Sequence, residues 1–415
     1  MTPETRLLAV PFEALAGLAE ALEPALGELL AGAAAERVLD RFLRGHRQLD
    51  AAGRAACAEA LFGVGLWRRR LRHGLGGAPG SPRLLLALLL RDLAGRNDAA
   101  ALAGLPDSAL PPPLPPPASL ADRASLPDWL AMELERAAGS EAAALADALN
   151  LPGPVALRAN RLRCDRAALA SALAAEGVPS RPSALAPDGL VATSPRLNVR
   201  GLTAWRDGRF EVQDEGSQLV ALALGARPGE RVLDRCAGAG GKTLALAGAV
   251  GPEGRVFACD LDEERLRRLA VRAARAGAGA IVERLGAAPP PSLLVDGALV
   301  DAPCSELGPL RRGPDQRWRI DPCSFAALPP LQLSLLRGAA ARVRPGGRLV
   351  YATCTFRREE NQAVALAFDA AEPGWRRTPP AAPAEVLSAD GFLRTLPHRH
   401  GTDGFFAAAW VRSLD

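Results

Sequence analysis

Two cysteines in the second half of the chain sit where a thiol could react. Cys304 follows Val300-Asp301-Ala302-Pro303, and Cys354 follows Tyr351-Ala352-Thr353. Each lies just past a short apolar run that reads as a strand, so the two thiols face the same end of a sheet. A lone cysteine is most often a small, inert core residue. Cys57, Cys164, Cys259 and Cys323 keep that reading. Two cysteines at corresponding strand ends argue for chemistry, and the reactive form is the thiolate. Upstream, Val232-Leu233-Asp234 runs into Arg235-Cys236-Ala237-Gly238-Ala239-Gly240-Gly241-Lys242-Thr243. A strand, a glycine-rich turn and a helix start let backbone approach a cofactor closely. Lys242 is the only lysine of the chain, against 49 arginines. The arginine excess, alongside abundant Ala, Gly and Pro, reads as codon bias and makes most arginines uninformative. The lone lysine marks a position where a compact ammonium differs from a planar guanidinium.

Two nucleotide-binding patterns fit the turn poorly. A Walker A loop needs glycine at position 236, which is cysteine, and the dinucleotide G-x-G-x-x-G pattern needs glycine at 243, which is threonine. A methyltransferase-type loop for S-adenosylmethionine remains. Asp260 supports it, because an acidic residue about 20 residues beyond the glycines, at the end of the next strand, suits ribose hydroxyls. The bland alternative is a tight strand-to-helix turn with no ligand.

The elements that must position these residues alternate. Strands are predicted over 231–234, 256–260, ending at 299–301, over 348–354 and over 405–411, with helices over 242–250, 262–276 and 325–343. This order predicts an α/β, Rossmann-like domain with a mostly parallel sheet. Ligands of such sheets bind outside the carboxyl ends of the strands, where Asp234, Asp260, Asp301 and Cys354 fall. A small α+β region precedes it, with a strand over 155–163 and a helix over 165–176. Six prolines between Pro111 and Pro117 read as an extended spacer. Residues 12–103 read as helical, with Ala35, Val38, Leu39, Phe42 and Leu43 on one buried face. The expected domains are therefore 1–103 all-α, 104–118 linker, 119–205 linking helix and α+β subdomain, and 206–415 methyltransferase-like.

Composition removes other classes. The 415 residues suit two or three domains, and 48% hydrophobic content supports packed cores. The longest apolar run, residues 84–90, has seven residues, whereas a membrane span needs about 20. No basic-then-apolar leader opens the chain, so no signal peptide is expected. Seven scattered cysteines without Cys-x-x-Cys argue against a disulfide framework or zinc site and for a reducing, cytoplasmic setting. His398 and His400, lacking an acidic cluster, read as loop residues, and no metal is expected. With a net charge of only +4, nucleic-acid binding must come from local patches. One candidate is the stretch 41–72, where eight arginines oppose Asp50 and Glu59 among His46, Phe62, Trp67 and His73. It could hold RNA phosphates and stack on bases, or be a solvated helical face.

Several segments carry a resemblance, in order: Phe210-Glu211-Val212-Gln213-Asp214-Glu215-Gly216-Ser217-Gln218, the Cys236–Thr243 loop, Asp301-Ala302-Pro303-Cys304-Ser305, Arg311-Arg312-Gly313-Pro314-Asp315-Gln316-Arg317-Trp318, Thr353-Cys354-Thr355 with Glu359-Glu360-Asn361, and Thr402-Asp403-Gly404-Phe405-Phe406. Over residues 155–415 the chain resembles the RNA cytosine carbon-5 methyltransferases of the bacterial Fmu/Sun (RsmB) type, which act on small-subunit ribosomal RNA. Residues 12–103, with Phe62-Gly63-Val64-Gly65-Leu66-Trp67-Arg68, resemble the NusB-type RNA-binding domain carried in front of such enzymes. The resemblance implies S-adenosylmethionine held by Cys236, Ala237, Gly238, Ala239, Gly240, Gly241, Lys242, Asp260 and Asp301. It implies Cys354 as nucleophile, Cys304 as the group assisting product release, and Asp301 against the cytosine edge, with Lys242 beside them. Arg311, Arg312 and Arg317, with Arg68 and Arg69 of the front domain, are the expected RNA contacts. Carbon-5 of cytosine is a poor nucleophile until a thiolate adds at carbon-6. Free cysteine titrates near 8.5, so Cys354 needs a nearby positive charge, from Lys242 or the sulfonium. The target base must leave its stack.

A monomer acting on ribosomal RNA is expected. Transfer RNA as substrate, a non-catalytic RNA-binding or ribosome-assembly factor, and a nucleotide hydrolase are the alternatives. The chain departs from the family pattern at three places. Gly238-Ala239 replaces Ala-Pro, and Ser305-Glu306-Leu307-Gly308 replaces Ser-Gly-Thr-Gly. An expected third-strand aspartate has no match in 282–289, where Glu283 is the candidate substitute.

Overall fold

The computed structural model describes residues 3–193 and 197–414. The chain divides into two compact units. One runs to Pro152 and includes Leu310–Pro322; the other comprises Gly153–Pro309 and the chain from Cys323 onward.

The first unit is helical. Its main helices are α1 (Ala19–Leu30), α2 (Ala35–Gly45), α3 (Ala51–His73), α4 (Pro82–Leu88), α5 (Asp128–Ala138) and α6 (Ala142–Leu149). Asp50 caps α3 by accepting the Gly53 N–H at 2.7 Å, and Arg70, Arg72 and His73 lie in its last turn, where cations suit the helix dipole. On α2, Ala35, Val38 and Phe42 are buried, while Leu39 and Leu43 pack partly buried against the same core. The apolar run at 84–90 is core: Leu85 to Leu90 are fully buried. Among the described residues no helix is long and apolar enough to cross a membrane.

The proline segment is irregular, but the compact helical unit continues past it to Pro152. Polar contacts explain why. Arg69 of α3 donates to Asp122 (2.6 Å), Asp128 (2.7 Å) and the Leu126 carbonyl (2.8 Å), and Asn150 donates to the Ala124 carbonyl (2.9 Å). Residues 310–322 also belong here and not with the sheet that precedes and follows them.

The second unit opens with an antiparallel four-stranded sheet. Its strands are β1 (Val155–Ala159), β2 (Ser180–Pro182), β3 (Gly189–Ala192) and β4 (Phe210–Val212), in the order β2-β3-β1-β4, with helix α7 (Arg166–Ala175). Helix α8 (Glu215–Leu222) leads into the large sheet: β5 (Arg231–Asp234), α9 (Gly241–Val250), β6 (Arg255–Cys259), α10 (Glu263–Ala276), β7 (Val282–Gly286), β8 (Val295–Asp301), α11 (Leu328–Ala340), β9 (Val343–Thr353), α12 (Gln362–Ala371), β10 (Trp375–Thr378), β11 (Leu393–Thr395) and β12 (Phe405–Arg412). The order is β10-β12-β9-β8-β5-β6-β7, with β11 also paired to β12. Strands β7, β6, β5, β8 and β9 are parallel, and β12 joins β9 antiparallel. Both faces are covered, so successive residues enter different cores: Val232 and Val350 pack on one side, Leu233, Leu349 and Tyr351 on the other. From β5 the chain winds outward through β6 and β7, then returns to β8 on the opposite side. This reversal opens a crevice at the carboxyl ends of β5 and β8.

Strand β9 is longer than its sequence suggests. Pro345-Gly346-Gly347, which reads as a turn, lies inside it, where the register against β8 shifts and Gly346 takes φ +73°. The helix expected over 325–343 begins as a 3₁₀ turn and becomes α-helical only at Leu328.

Candidate active site

The glycine turn after β5 is shaped by close approach. Gly240 caps α9 at φ +90°, and a Cβ there would stand 2.2 Å from Leu269 Cδ1. Only glycine meets both conditions. Asp260, one residue beyond β6, accepts the Gly238 N–H at 2.8 Å and the Asp262 N–H at 2.9 Å, bracing the turn. From behind, Arg272 donates to the Ala239 carbonyl at 2.6 Å while paired with the buried Glu211 at 2.8 Å. Arg158, bonded to Gln213 Oε1 at 2.6 Å, reaches the Gly241 carbonyl at 3.4 Å. Arg158, Arg272, Glu211 and Gln213 are positioning residues that sequence reasoning did not assign. The motif around Phe210–Val212 was the available signal.

Asp234 is the last residue of β5. It is fully buried; its Oδ2 accepts the Thr243 hydroxyl at 2.7 Å, and its Oδ1 has no partner among the described residues. Burial raises its carboxyl to about 7 against the opposing Thr243 bond, with the Asp301 charge adding to the rise. A buried carboxylate oxygen lacking a donor, under a turn that excludes side chains at Gly240, fits a cofactor carrying an ammonium group. Cys236, which burial pushes up to about 12, stays a neutral thiol in this turn.

At the crevice, Lys242 Nζ and Asp301 Oδ2 are 2.5 Å apart, and Nζ lies 5.3 Å from the Phe405 ring centroid. Burial is the largest single influence on Lys242 and lowers it, but the Asp301 charge and hydrogen bond, aided by Cys354 and Asp234, outweigh that and raise it. The lysine is therefore an ammonium. Cys304 Sγ and Cys354 Sγ stand 3.4 Å apart, within hydrogen-bond reach. That bond, then burial, then the charges of Cys304, Asp301 and Glu306 raise the Cys354 thiol well above its ordinary value.

The two cysteine loops are locked together. The Gly308 N–H donates to the Cys354 carbonyl at 2.9 Å, and the Ser305 and Thr355 hydroxyls meet at 2.8 Å. The fully buried Glu360 accepts the Ser305 N–H at 2.9 Å and Gln332 Nε2 at 3.0 Å. Asn361 accepts the Thr353 hydroxyl at 2.5 Å and donates to the Thr355 carbonyl at 2.9 Å. A Cβ at Gly308 would fall 2.0 Å from the Gly404 carbonyl oxygen. The structure thus brings together Lys242, Asp301, Cys304 and Cys354 within one unit.

Other expectations fare differently. Glu283 lies mid-strand in β7, opposite Phe257, three residues before the strand ends at Gly286. At about 3.3 Å per residue it falls about 10 Å short of the carboxyl end, so it does not replace the missing aspartate. Arg235 instead donates to the Ala287 carbonyl at 2.9 Å there.

Arg317 lies inside the helical unit. It is fully buried, bonded to Asn150 Oδ1 at 2.7 Å and the Leu149 carbonyl at 3.3 Å, and pushed down by burial to about 9 against the nearby Asp315 charge. Arg311 is buried as well, whereas Arg312 is exposed. The Arg317 guanidinium ties the 310–322 segment into the helical unit. Arg69 is matched by Asp122 and Asp128, and Arg68 stacks 4.0 Å above Trp318. Among the described residues no group of three or more His, Cys, Asp or Glu side chains is arranged to hold a metal ion.

The switch-point crevice, its braced glycine turn and the orphaned carboxylate oxygen beneath it fit a cofactor site, and the family match makes the chain an S-adenosylmethionine-dependent methyltransferase by class. Residues 221–411 match the model of the 16S rRNA methyltransferase RsmB/F family, and residues 126–200 match the ferredoxin-like domain of the RsmF/B-like methyltransferases. A probable ribosomal RNA small subunit methyltransferase B of Synechocystis is 38% identical over 301 residues, covering 70% of this chain and 67% of that protein. Its counterpart in Bacillus subtilis is 37% identical over 300 residues, covering 69% and 66%. The matched stretch thus spans about two thirds of these relatives. A solved methyltransferase homolog protein from Pyrococcus horikoshii superposes with a TM-score of 0.61 at 26% identity, over 71% of this chain and 97% of the other. The chain belongs to the RsmB/F methyltransferase family.

Proposed function

We propose that the protein methylates carbon-5 of a cytosine in small-subunit ribosomal RNA, with Cys354 as a transient nucleophile. The observation that carries this reading is the 3.4 Å approach of Cys304 and Cys354 beside the Lys242–Asp301 pair. Asp234, the 236–242 turn and Asp260 would hold the cofactor, which supplies an electrophilic methyl group when bound. Cys354 adds to cytosine carbon-6, and Asp301 would favour protonation at the ring nitrogen, making carbon-5 enamine-like. After methylation a base removes the carbon-5 proton, the carbon-5 to carbon-6 double bond re-forms as the sulfur leaves as thiolate, and the ring nitrogen gives up the proton it gained. Cys304 is the group positioned to assist that release. The Lys242 ammonium helps offset the negative charges of Asp301 and an ionised Cys354. We further infer a cytoplasmic monomer, with the helical unit acting as the NusB-like RNA-binding domain.

Nucleoside mass spectrometry of ribosomal RNA incubated with the protein and S-adenosylmethionine should yield 5-methylcytidine. A methyl group elsewhere would overturn the chemistry, and methylation confined to transfer RNA would overturn the substrate. The absence of a carboxylate at the carboxyl end of β7 favours a second reading, a non-catalytic RNA-binding factor. Calorimetry detecting no S-adenosylmethionine binding would select it.

Glu306 offers a further check. It stands at φ +53° where the family pattern has glycine, and its charge helps raise Cys354. Glu306→Gly should relieve about 1 kcal/mol of left-handed backbone strain. Removing a negative neighbour also lowers the Cys354 thiol. The midpoint of the pH dependence of single-turnover adduct formation should then move to lower pH; an unmoved or higher midpoint counts against this role.

A further inference from the structure

We infer that a recess in the helical unit, walled by Arg68, Arg72, His73 and Trp318, is a docking point for a phosphodiester of the RNA substrate, outside the catalytic crevice. This rests on the RNA-methyltransferase reading and adds a binding site to it.

The recess encloses about 510 Å³, and its charged lining is three guanidiniums, Arg68, Arg69 and Arg72, against the single carboxylate of Asp122. Arg69 is already satisfied, since Asp122 and Asp128 bind it at 2.6 and 2.7 Å. Arg68 is not. Its guanidinium carbon lies 4.0 Å from the Trp318 ring centroid, and the ring is pinned by its Nε1–H donating to the Gly65 carbonyl at 3.1 Å. No carboxylate among the described residues pairs with Arg68. Burial, and then the like charge of Arg72, lower it to about 10. Arg72 spends only its Nε, on the Pro79 carbonyl at 3.2 Å.

Two neighbouring cations, one half-buried and without a counter-ion, destabilise the unit unless an anion joins them. Stacking on Trp318 fixes the plane of Arg68 and leaves its N–H edges for a planar, two-point grip on phosphate oxygens. The C-terminal dipole of α3 opposes an anion here by about 0.3–1 kcal/mol, so the side chains must supply the attraction. The expected occupant is a backbone phosphate, held without sequence preference.

The full-length protein and its Arg72→Gln and Arg68→Gln/Arg72→Gln variants are titrated with a fluorescent RNA stem-loop across a series of KCl concentrations. The slope of log Kd against log[KCl] should shrink by about 1 for the single variant and about 2 for the double. Weakening should be equal for an unrelated stem-loop. Arg136→Gln, on the exposed face of α5, serves as control and should match wild type. In methyl transfer, KM for RNA should rise while kcat at saturating RNA holds. Unchanged slopes in both variants, with melting temperatures intact, overturn the proposal. So does inorganic pyrophosphate binding that the variants abolish while RNA slopes stay put, since that marks a small-anion site. Failure of the RNA-methyltransferase reading looks different: wild type itself would transfer no methyl group to RNA, whatever its salt slope.

Discussion

Cys304→Ala is expected to freeze the protein on its substrate. Incubated with RNA and S-adenosylmethionine, it should give a denaturation-resistant protein–RNA adduct approaching one RNA per protein, while wild type shows little. Cys354→Ala, and the double variant, should give none. The direction follows from the shared contact at 3.4 Å. The bond to Cys304 heads the influences that keep Cys354 a thiol. Deleting that partner makes the thiolate easier to form, so adduct formation should quicken at neutral pH while release stalls. Turnover should fall at least about 1,000-fold in both single variants, about 4 kcal/mol in the barrier, but for opposite reasons. A trapped adduct in Cys354→Ala, or none in Cys304→Ala, would reverse or remove the assignment.

Lys242→Arg should cost about 100-fold in turnover, about 2.7 kcal/mol, with a melting temperature close to wild type. The lysine ammonium sits 2.5 Å from Asp301, largely buried, near the Phe405 ring. A guanidinium carries the same charge on a broader planar head that cannot occupy that point without moving Asp301. Since Asp301 is proposed to meet the cytosine edge, its displacement should appear mainly in kcat. Near-normal turnover would make the chain's only lysine incidental.

The sheet and crevice were largely legible, because buried parallel strands and their helices impose strong periodicity. Asp234, Asp260, Asp301 and Cys354 fall at or just beyond strand ends as expected. Strand β7 was harder, since an edge strand with exposed Glu283 and Arg284 carries no apolar alternation. The Pro-Gly-Gly bulge in β9 imitates a turn because the same residues serve both purposes. The braces of the site were illegible for a different reason. Arg272 reaches Glu211 across 61 positions and Ser305 reaches Glu360 across 55, and no local pattern announces such pairs. Arg317 stands out in the sequence only through its place in the 311–318 motif, and no local pattern announces its bond to Asn150 or its burial.

That tie has a consequence for the order of events during synthesis. Asn150 and Arg317 are separated by 167 positions, yet their bond lies inside the helical unit. Translation at about 5–20 residues per second leaves roughly 8–33 s between the emergence of the two partners. During that interval the N-terminal helices have been made but still lack the piece that holds Trp318 beneath Arg68 and Arg317 against Asn150. A unit whose helices precede the methyltransferase in the chain is therefore finished only after much of that methyltransferase has been made.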